Sequence, residues 1–197
     1  MLLRAPLCER CGAPTAWPVA SCIECSGRRL AFASARAAVS YTAAARPLVH
    51  AWKERGLRPF ATVAADLVVE VVPRPAADLI THIPPDGDRS LQRGHHPAAE
   101  LARELAARWG IARAPTLART RPVERQAGLS LRERRVNMRG AFTARPDVAR
   151  REAGMPRTVV LVDDVYTTGS TVAAAASALR GAGVRRVDVV TFARTVR

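Results

Sequence analysis

The run from Val159 to Thr171, VVLVDDVYTTGST, constrains this chain more than any other segment. Four apolar residues lead into two adjacent carboxylates, Asp163 and Asp164, and then into a small, hydroxyl-rich turn. Thr158 to Val162 is mostly β-branched and continuous, the pattern of a parallel-sheet strand covered on both faces. The spacing places the acid pair where that strand ends, at the carboxyl edge where open α/β sheets hold ligands. Two neighbouring carboxylates repel each other and need hydroxyl donors, cations or water beside them. Val172-Ala-Ala-Ala-Ala-Ser-Ala-Leu179 then forms a strong helix signal. The first amides of that helix lack intrahelical acceptors, and its dipole favours an anion. Gly169 is free to take a positive φ and admit an anion close to the backbone. Thr167, Thr168, Ser170 and Thr171 supply further donors. A ligand with vicinal hydroxyls and a phosphate satisfies both halves of the segment at once. Gly181 or Gly183 ends the helix, and Val187 to Phe192 reads as the next strand.

A Gly-x4-Gly-Lys-[Ser/Thr] phosphate loop is excluded, because the single lysine, Lys53, is followed by Glu54. A receiver-type acid pair opens its domain, whereas this one lies near the C-terminal end of the sequence. An ordinary strand-loop-helix with solvated acids remains as an alternative. The segment resembles the phosphoribosyl-diphosphate (PRPP) loop of type I phosphoribosyltransferases. The resemblance implies that Asp163 and Asp164 hold the ribose 2- and 3-hydroxyls. It also implies that Thr167, Thr168, Gly169, Ser170 and Thr171 cradle the 5-phosphate, with Tyr166 counted in the PRPP-binding set.

A chain of 197 residues, 48% of them apolar, suits one domain of ordinary size plus a small appendage. No apolar run reaches a transmembrane length. The start, Met-Leu-Leu-Arg-Ala-Pro-Leu-Cys, lacks the apolar core of a signal peptide, so the expected compartment is the cytoplasm. Net charge is +14, from 31 basic and 17 acidic side chains. That field attracts polyphosphates and nucleic acids alike. Thirty arginines to one lysine, in a chain rich in Ala, Gly and Pro, also fit a GC-rich codon bias.

Cys8-Glu-Arg-Cys11 and Cys22-Ile-Glu-Cys25 hold every cysteine in the chain. Two Cys-x2-Cys pairs close one tetrahedral site when both knuckles point at a common centre. Gly12 and Gly27 lie where such knuckles turn sharply. Redox catalysis by one pair leaves the other unexplained, and a cytosolic compartment disfavours structural disulfides. The expected occupant is structural Zn2+, with Cys8, Cys11, Cys22 and Cys25 as ligands and no open position for a catalytic water. The metal stabilises a segment, residues 1–30, too short to hold its own core.

Residues 31–197 read as an α/β domain. The periodicity predicts helices over Tyr41–Arg55, with Leu48, Val49 and Trp52 on one face, over Phe60–Val72 and over Pro97–Trp109, with Leu101 and Leu105 inward. Strands are expected at Asp78–Ile83 and at Pro115–Ala118. A polar, Gly-containing loop follows Pro84-Pro85, and residues 144–157 read as an exposed connection. The order indicates a parallel sheet flanked by helices.

The stretch from Arg119 to Phe142 carries seven arginines and two glutamates. Ser130 and Glu133 have capping-box spacing. Long inserts in compact domains are usually functional, and arginine forks grip phosphate oxygens in pairs. The insert, about 119–142, reads as a lid over a polyanion, with Arg125, Arg134 and Arg135 as pyrophosphate candidates together with Arg93. A solvated segment docked by Leu129, Leu131 and Val136 is the alternative.

The four-cysteine knuckle, Trp52-Lys-Glu-Arg-Gly-Leu57, Leu91-Gln-Arg-Gly94, Arg125-Gln-Ala-Gly-Leu-Ser130 with Gly140-Ala-Phe142, and the Val162–Thr171 motif occur in one order. Together they resemble the ComF family, of the ComFC type, over nearly the full length. The resemblance implies a type I phosphoribosyltransferase-like α/β fold with an N-terminal zinc ribbon. It also implies binding of PRPP as its Mg2+ complex and a link to DNA uptake in natural competence. Two readings stay open. One is an enzyme, a glycosyltransferase that moves the pentosyl phosphate from PRPP to an acceptor with release of pyrophosphate. Asp163 and Asp164 then act at the catalytic centre. The other is a non-catalytic adaptor or PRPP-responsive factor that contacts single-stranded DNA or DNA-uptake proteins. Where relatives of that family read Arg-Gly-Phe-Asn-Gln, this chain reads Arg93-Gly-His-His-Pro97. His95 and His96 are read as loop or helix-start residues, not metal ligands.

Overall fold

A computed structural model describes residues 2–86, 94–121, 133, 137–145 and 156–196. Among them, four strands form one parallel sheet in the order β1-β6-β5-β2. These are β1 (Ser34–Ser40), β2 (Leu79–His82), β5 (Thr158–Tyr166) and β6 (Arg186–Arg194). β3 (Leu117–Arg119) and β4 (Phe142–Ala144) form a separate antiparallel ribbon. The helices are α1 (Ala45–Arg55), α2 (Phe60–Val71), α3 (Pro97–Trp109) and α4 (Ser170–Gly181).

The continuous apolar run of β5 serves two cores, because successive side chains leave opposite faces of a strand. Val160 and Val162 pack with Trp52, Val68, Leu101, Leu105 and Phe192 beneath α1, α2 and α3. Val159 and Leu161 pack with Leu179 of α4 and with Cys8, Cys11 and Cys25 on the other face. The four-cysteine segment is thus part of the main core. It docks along β1, where Ala35 N–H donates to the Arg10 carbonyl at 2.9 Å and Leu3 N–H to the Ala38 carbonyl at 2.8 Å. Gly12 permits that approach. Its φ is +71°, and a Cβ there would lie 2.3 Å from the Ala35 carbonyl oxygen.

Several expectations need correction. β1 has no counterpart among the expected elements. Its sequence, SARAAVS, carries little β propensity, and its strand state comes from pairing with β6 and from burial. The helix expected from Tyr41 begins at Ala45, and Leu48 is exposed while Val49 and Trp52 are buried. The strand expected at Pro115–Ala118 is shifted, and it belongs to the ribbon rather than the main sheet. Phe142–Ala144, expected in insert and connection, is the ribbon's second strand. β5 also runs past Val162 through both acids to Tyr166. No helix among the described residues is long and apolar enough to cross a membrane.

Candidate functional site

The extension of β5 explains how a cleft forms at the acid pair. β6 follows β5 to its end, pairing Asp163 with Thr191, Val165 with Ala193 and Tyr166 with Arg194. β2 stops at His82, opposite Val162, and after Ile83 the chain turns away at Pro84-Pro85. Proline lacks the N–H that a strand ladder needs. Among the described residues, Asp163 and Asp164 are therefore left without a strand neighbour on the β2 side. A cleft of about 340 Å3 opens there. Asp163, Asp164, Thr167 and Thr171 line it on one side, facing Lys53, His96, Arg119 and Asp86.

The acids are held unequally. Asp164 is 7% exposed, and its Oδ2 lies 2.8 Å from Lys53 Nζ. Asp163 Oδ1 accepts the Asp164 backbone N–H at 2.9 Å. Burial and the neighbouring Asp164 charge push the Asp163 carboxyl up to about 7, against the pull of Lys53. Burial pulls the Lys53 ammonium down, but Asp164 and Asp163 outweigh it and hold it above its ordinary value. The cleft thus sets a carboxyl that holds its proton up to about pH 7, Asp163, beside an ion pair, Lys53–Asp164, a charge arrangement that ligand hydroxyls and a cation can replace.

Of the turn after β5, Thr167 and Thr171 line the cleft, whereas Thr168 and Ser170 are buried. Gly169 takes φ +73° immediately before α4. Thr168 Oγ1 lies 2.9 Å from Ser170 Oγ and accepts the Ser170 N–H at 3.3 Å. Thr167 is exposed and Thr171 half-buried at the cleft. Tyr166 is not brought to the cleft. Its ring is buried, edge-on to Phe32 at 6.3 Å, with the Arg194 guanidinium 5.1 Å from its centroid. Burial pushes its phenol up to about 12.

Arg93, Arg125, Arg134 and Arg135, with Ser130 and the hydrophobic anchors of the insert, lie outside the described residues. Arg119, at the root of that insert, does reach the cleft. Its Nε donates to the Pro85 carbonyl at 2.9 Å, and its guanidinium stacks 5.0 Å from the Phe142 ring. Its Nη1 is buried without a hydrogen-bond partner among the described residues. Such an orphaned cationic donor is costly unless an anion meets it. His96 lies between β2 and α3, its ring 5.4 Å from that of His82. Burial pushes both imidazoles down to about 4, so both are neutral near pH 7. The buried His95 ring is held by the Trp52 carbonyl, 2.6 Å from its Nε2. Sequence reasoning missed Lys53 and Arg119 as cleft residues. The signal for Lys53 was its singularity. Arginine and lysine are not interchangeable, and a chain with thirty arginines keeps lysine at one position, beside the acids.

The cysteines converge on the far side of β5 from α3. Their Sγ atoms all lie within 4.8 Å of one another. Cys8 and Cys25 are 3.7 Å apart, Cys11 and Cys22 3.5 Å, and Cys22 and Cys25 3.9 Å. A tetrahedral ion with metal–sulfur bonds of about 2.3 Å sets sulfurs about 3.8 Å apart, so the donor set fits such an ion. Burial opposes the Cys8 thiolate, but the backbone amides of Cys11, Arg10 and Cys22 outweigh it and bring the thiol to about 7. Burial pushes Cys11 up to about 12, a penalty that a bound cation removes.

A family model described as "Phosphoribosyl transferase domain" matches residues 91–196. The chain belongs to that family. Within it, the chain stands with the ComF/YhgH proteins of DNA utilization and competence. It is 31% identical to DNA utilization protein YhgH of Salmonella typhi over 201 residues, covering 98% of this chain and 86% of the relative. Identity to YhgH of Escherichia coli K12 is 29% over 201 residues, covering 96% and 85%. Competence protein F of Haemophilus influenzae is 36% identical over 107 residues, covering 54% and 45%. Among solved structures, a glutamine PRPP amidotransferase from B. subtilis matches 68% of this chain and 25% of its own at 25% identity. Its TM-score of 0.41 is too low to support an argument.

Proposed function

We propose that the chain binds PRPP in the cleft at the end of β5 and transfers its phosphoribosyl group to an acceptor, releasing pyrophosphate. The observation that carries this reading is one wall of the cleft. There the Asp163–Asp164 pair stands beside the Thr167–Thr171 turn at the start of α4, inside the segment matched by the phosphoribosyl transferase model.

In this reading Asp163 and Asp164 accept hydrogen bonds from the ribose 2- and 3-hydroxyls, which displace the Asp163 proton and the Lys53 ammonium. The amides and hydroxyls of Thr167, Thr168, Gly169, Ser170 and Thr171 hold the 5-phosphate at the helix start. Arg119 Nη1, without a partner among the described residues, offers a bond to pyrophosphate oxygens, and Arg93, Arg125, Arg134 and Arg135 are the further candidates for that role. Mg2+ bound with PRPP would supply neutralisation of the pyrophosphate charge. An acceptor lone pair forms a bond to C1 as the C1–O bond breaks, and both electrons of that bond leave with pyrophosphate. The carboxylates offset the positive charge that builds on the ring in the transition state. His96, neutral at the cleft, leaves the negative charge of the acids undiminished.

Residues 1–30 form a zinc ribbon and residues 31–197 the phosphoribosyltransferase-like domain, with type I character resting on the loop at Asp163–Thr171. Zn2+ fits the four thiols, and the cytoplasm is the compartment in this reading.

A second reading is favoured by the names of the relatives and by the net charge of +14. Here the protein is a DNA-uptake adaptor that binds single-stranded DNA or uptake proteins and uses PRPP only as a signal. A pyrophosphate-release screen across nucleobases, amines and single-stranded DNA separates the two. Acceptor-dependent release that is lost in Asp163→Asn/Asp164→Asn supports transfer. PRPP binding without release from any acceptor, together with DNA binding that survives the double substitution, supports the adaptor.

A further inference from the structure

Two arginines join the cysteine cluster to the turn that follows β5, across large separations in sequence. Arg28 lies three residues after Cys25 and is tied to the cluster at both ends. Its backbone N–H donates to the Cys25 carbonyl at 3.2 Å, and its Nη1 donates to the Glu24 carbonyl at 3.3 Å. Its Nη2 donates to the Thr168 carbonyl at 2.6 Å. Arg194, the last residue of β6, is 1% exposed. Its Nη1 donates to the Cys11 carbonyl and lies 3.9 Å from Cys11 Sγ, while its Nη2 pairs with Glu24 Oε2 at 2.8 Å. The same guanidinium stacks on Tyr166. The Tyr166 ring in turn fills the space beside Gly169, where an added Cβ would lie 2.4 Å from Tyr166 Oη.

These contacts act on the two peptide groups that shape the turn. In a planar trans peptide the C=O and the following N–H point in opposite directions. Fixing the Thr168 carbonyl on Arg28 therefore aims the Gly169 N–H away from the cysteine segment. Packing of Tyr166 holds Gly169 where only a residue without a side chain fits. The buried Arg194 charge is matched by Glu24 and, when a divalent ion is bound by four thiolates, by the net negative charge of that centre.

We propose that the cysteine segment is a positioning device for the phosphate-binding turn. Arg28 and Arg194 are positioning residues, and metal occupancy and sugar-phosphate binding are linked equilibria. The inference rests on the reading of the cleft as a PRPP site. Linkage is reciprocal: if metal sets the turn for the ligand, the ligand must tighten metal binding by the same factor.

The test uses full-length, metal-loaded protein and the variants Arg28→Ala and Arg28→Lys, with PRPP and Mg2+ as the probe. Arg28→Ala is expected to keep its metal and nearly its wild-type melting temperature, yet to bind PRPP roughly tenfold more weakly, with partial recovery in Arg28→Lys. In equilibrium competition with a chelator, saturating PRPP is expected to tighten metal binding in the wild type and not in Arg28→Ala. Equal PRPP affinity in Arg28→Ala and wild type, with metal affinity indifferent to PRPP, overturns the proposal. If the wild type binds no PRPP, the PRPP reading fails, and hydrogen exchange decides the positioning claim separately. Faster exchange at the Thr168–Thr171 amides in metal-loaded Arg28→Ala supports it, and unchanged exchange refutes it.

Discussion

Lys53 Nζ stands 2.8 Å from Asp164 Oδ2, on a side chain 36% exposed, and joins α1 to the end of β5 across the cleft. An ammonium is a compact point charge, whereas a guanidinium is a broad planar fork. Lys53→Arg is therefore expected to be non-conservative, crowding the space that ligand hydroxyls need. Lys53→Met leaves the two acids uncompensated and moves Asp163 further upward in pKa. At pH 7 both variants are expected to bind PRPP about tenfold more weakly or worse. For Lys53→Met the loss shrinks as pH rises. Calorimetry from pH 6 to 9 checks both.

Asp163 is raised from 3.8 to about 7 by burial and by Asp164. Between those values the folded protein binds more protons than the unfolded chain, so this group's contribution to stability falls as pH rises from about 4 to about 7. His82 and His96, lowered from 6.5 to about 4, act in the opposite sense, and their contribution is lost as pH falls through that window. The clean readout is a difference. Asp163→Asn should gain stability relative to wild type as pH rises from about 4 to about 7 and then level off. Denaturant midpoints across that range measure it.

Gly169→Ala is expected to damage both fold and cleft. A non-glycine residue at φ +73° costs about 1–2 kcal/mol. The added Cβ would also lie 2.4 Å from Tyr166 Oη and 2.6 Å from its Cζ, with the ring held by Phe32 and Arg194. The expected result is a lower melting temperature together with loss of PRPP binding. An equivalent Gly140→Ala, where nothing among the described residues lies within 4 Å of the added carbon, should show only the backbone cost.

Freshly purified protein is expected to contain about one zinc per chain. Cys11→Ser should lower that content and reduce the cooperativity of unfolding of the whole chain, because Cys8, Cys11 and Cys25 share a core with Val159, Leu161 and Leu179. Metal analysis by mass spectrometry and thermal melts with and without chelator test this. A melt unchanged by complete metal removal contradicts it.

The sequence was most legible where one segment carried its own periodicity or punctuation. Pro97–Trp109 has an inward face at Leu101 and Leu105 and a proline at its first position, and its bounds match the observed helix. Phe60 to Val71 is framed by Pro59 and Pro73, and the paired cysteines announced a common centre. What could not be read depended on partners distant in the chain. β1 is a strand because β6 accepts it, not because Ala and Ser prefer that state. Tyr166 sits in the middle of the motif, yet the slot between Phe32 and Arg194 draws it away from the cleft. Lys53 lies 111 positions before Asp164, so only the folded chain joins them.

Titration calorimetry with PRPP and Mg2+ at pH 8, on the wild type and on Asp163→Asn/Asp164→Asn, puts the acid-lined cleft to the test. Saturable one-to-one binding by the wild type, abolished in a double variant that still melts cooperatively with its metal in place, is the predicted result. Absence of binding to the wild type, or undiminished binding by the double variant, would contradict it.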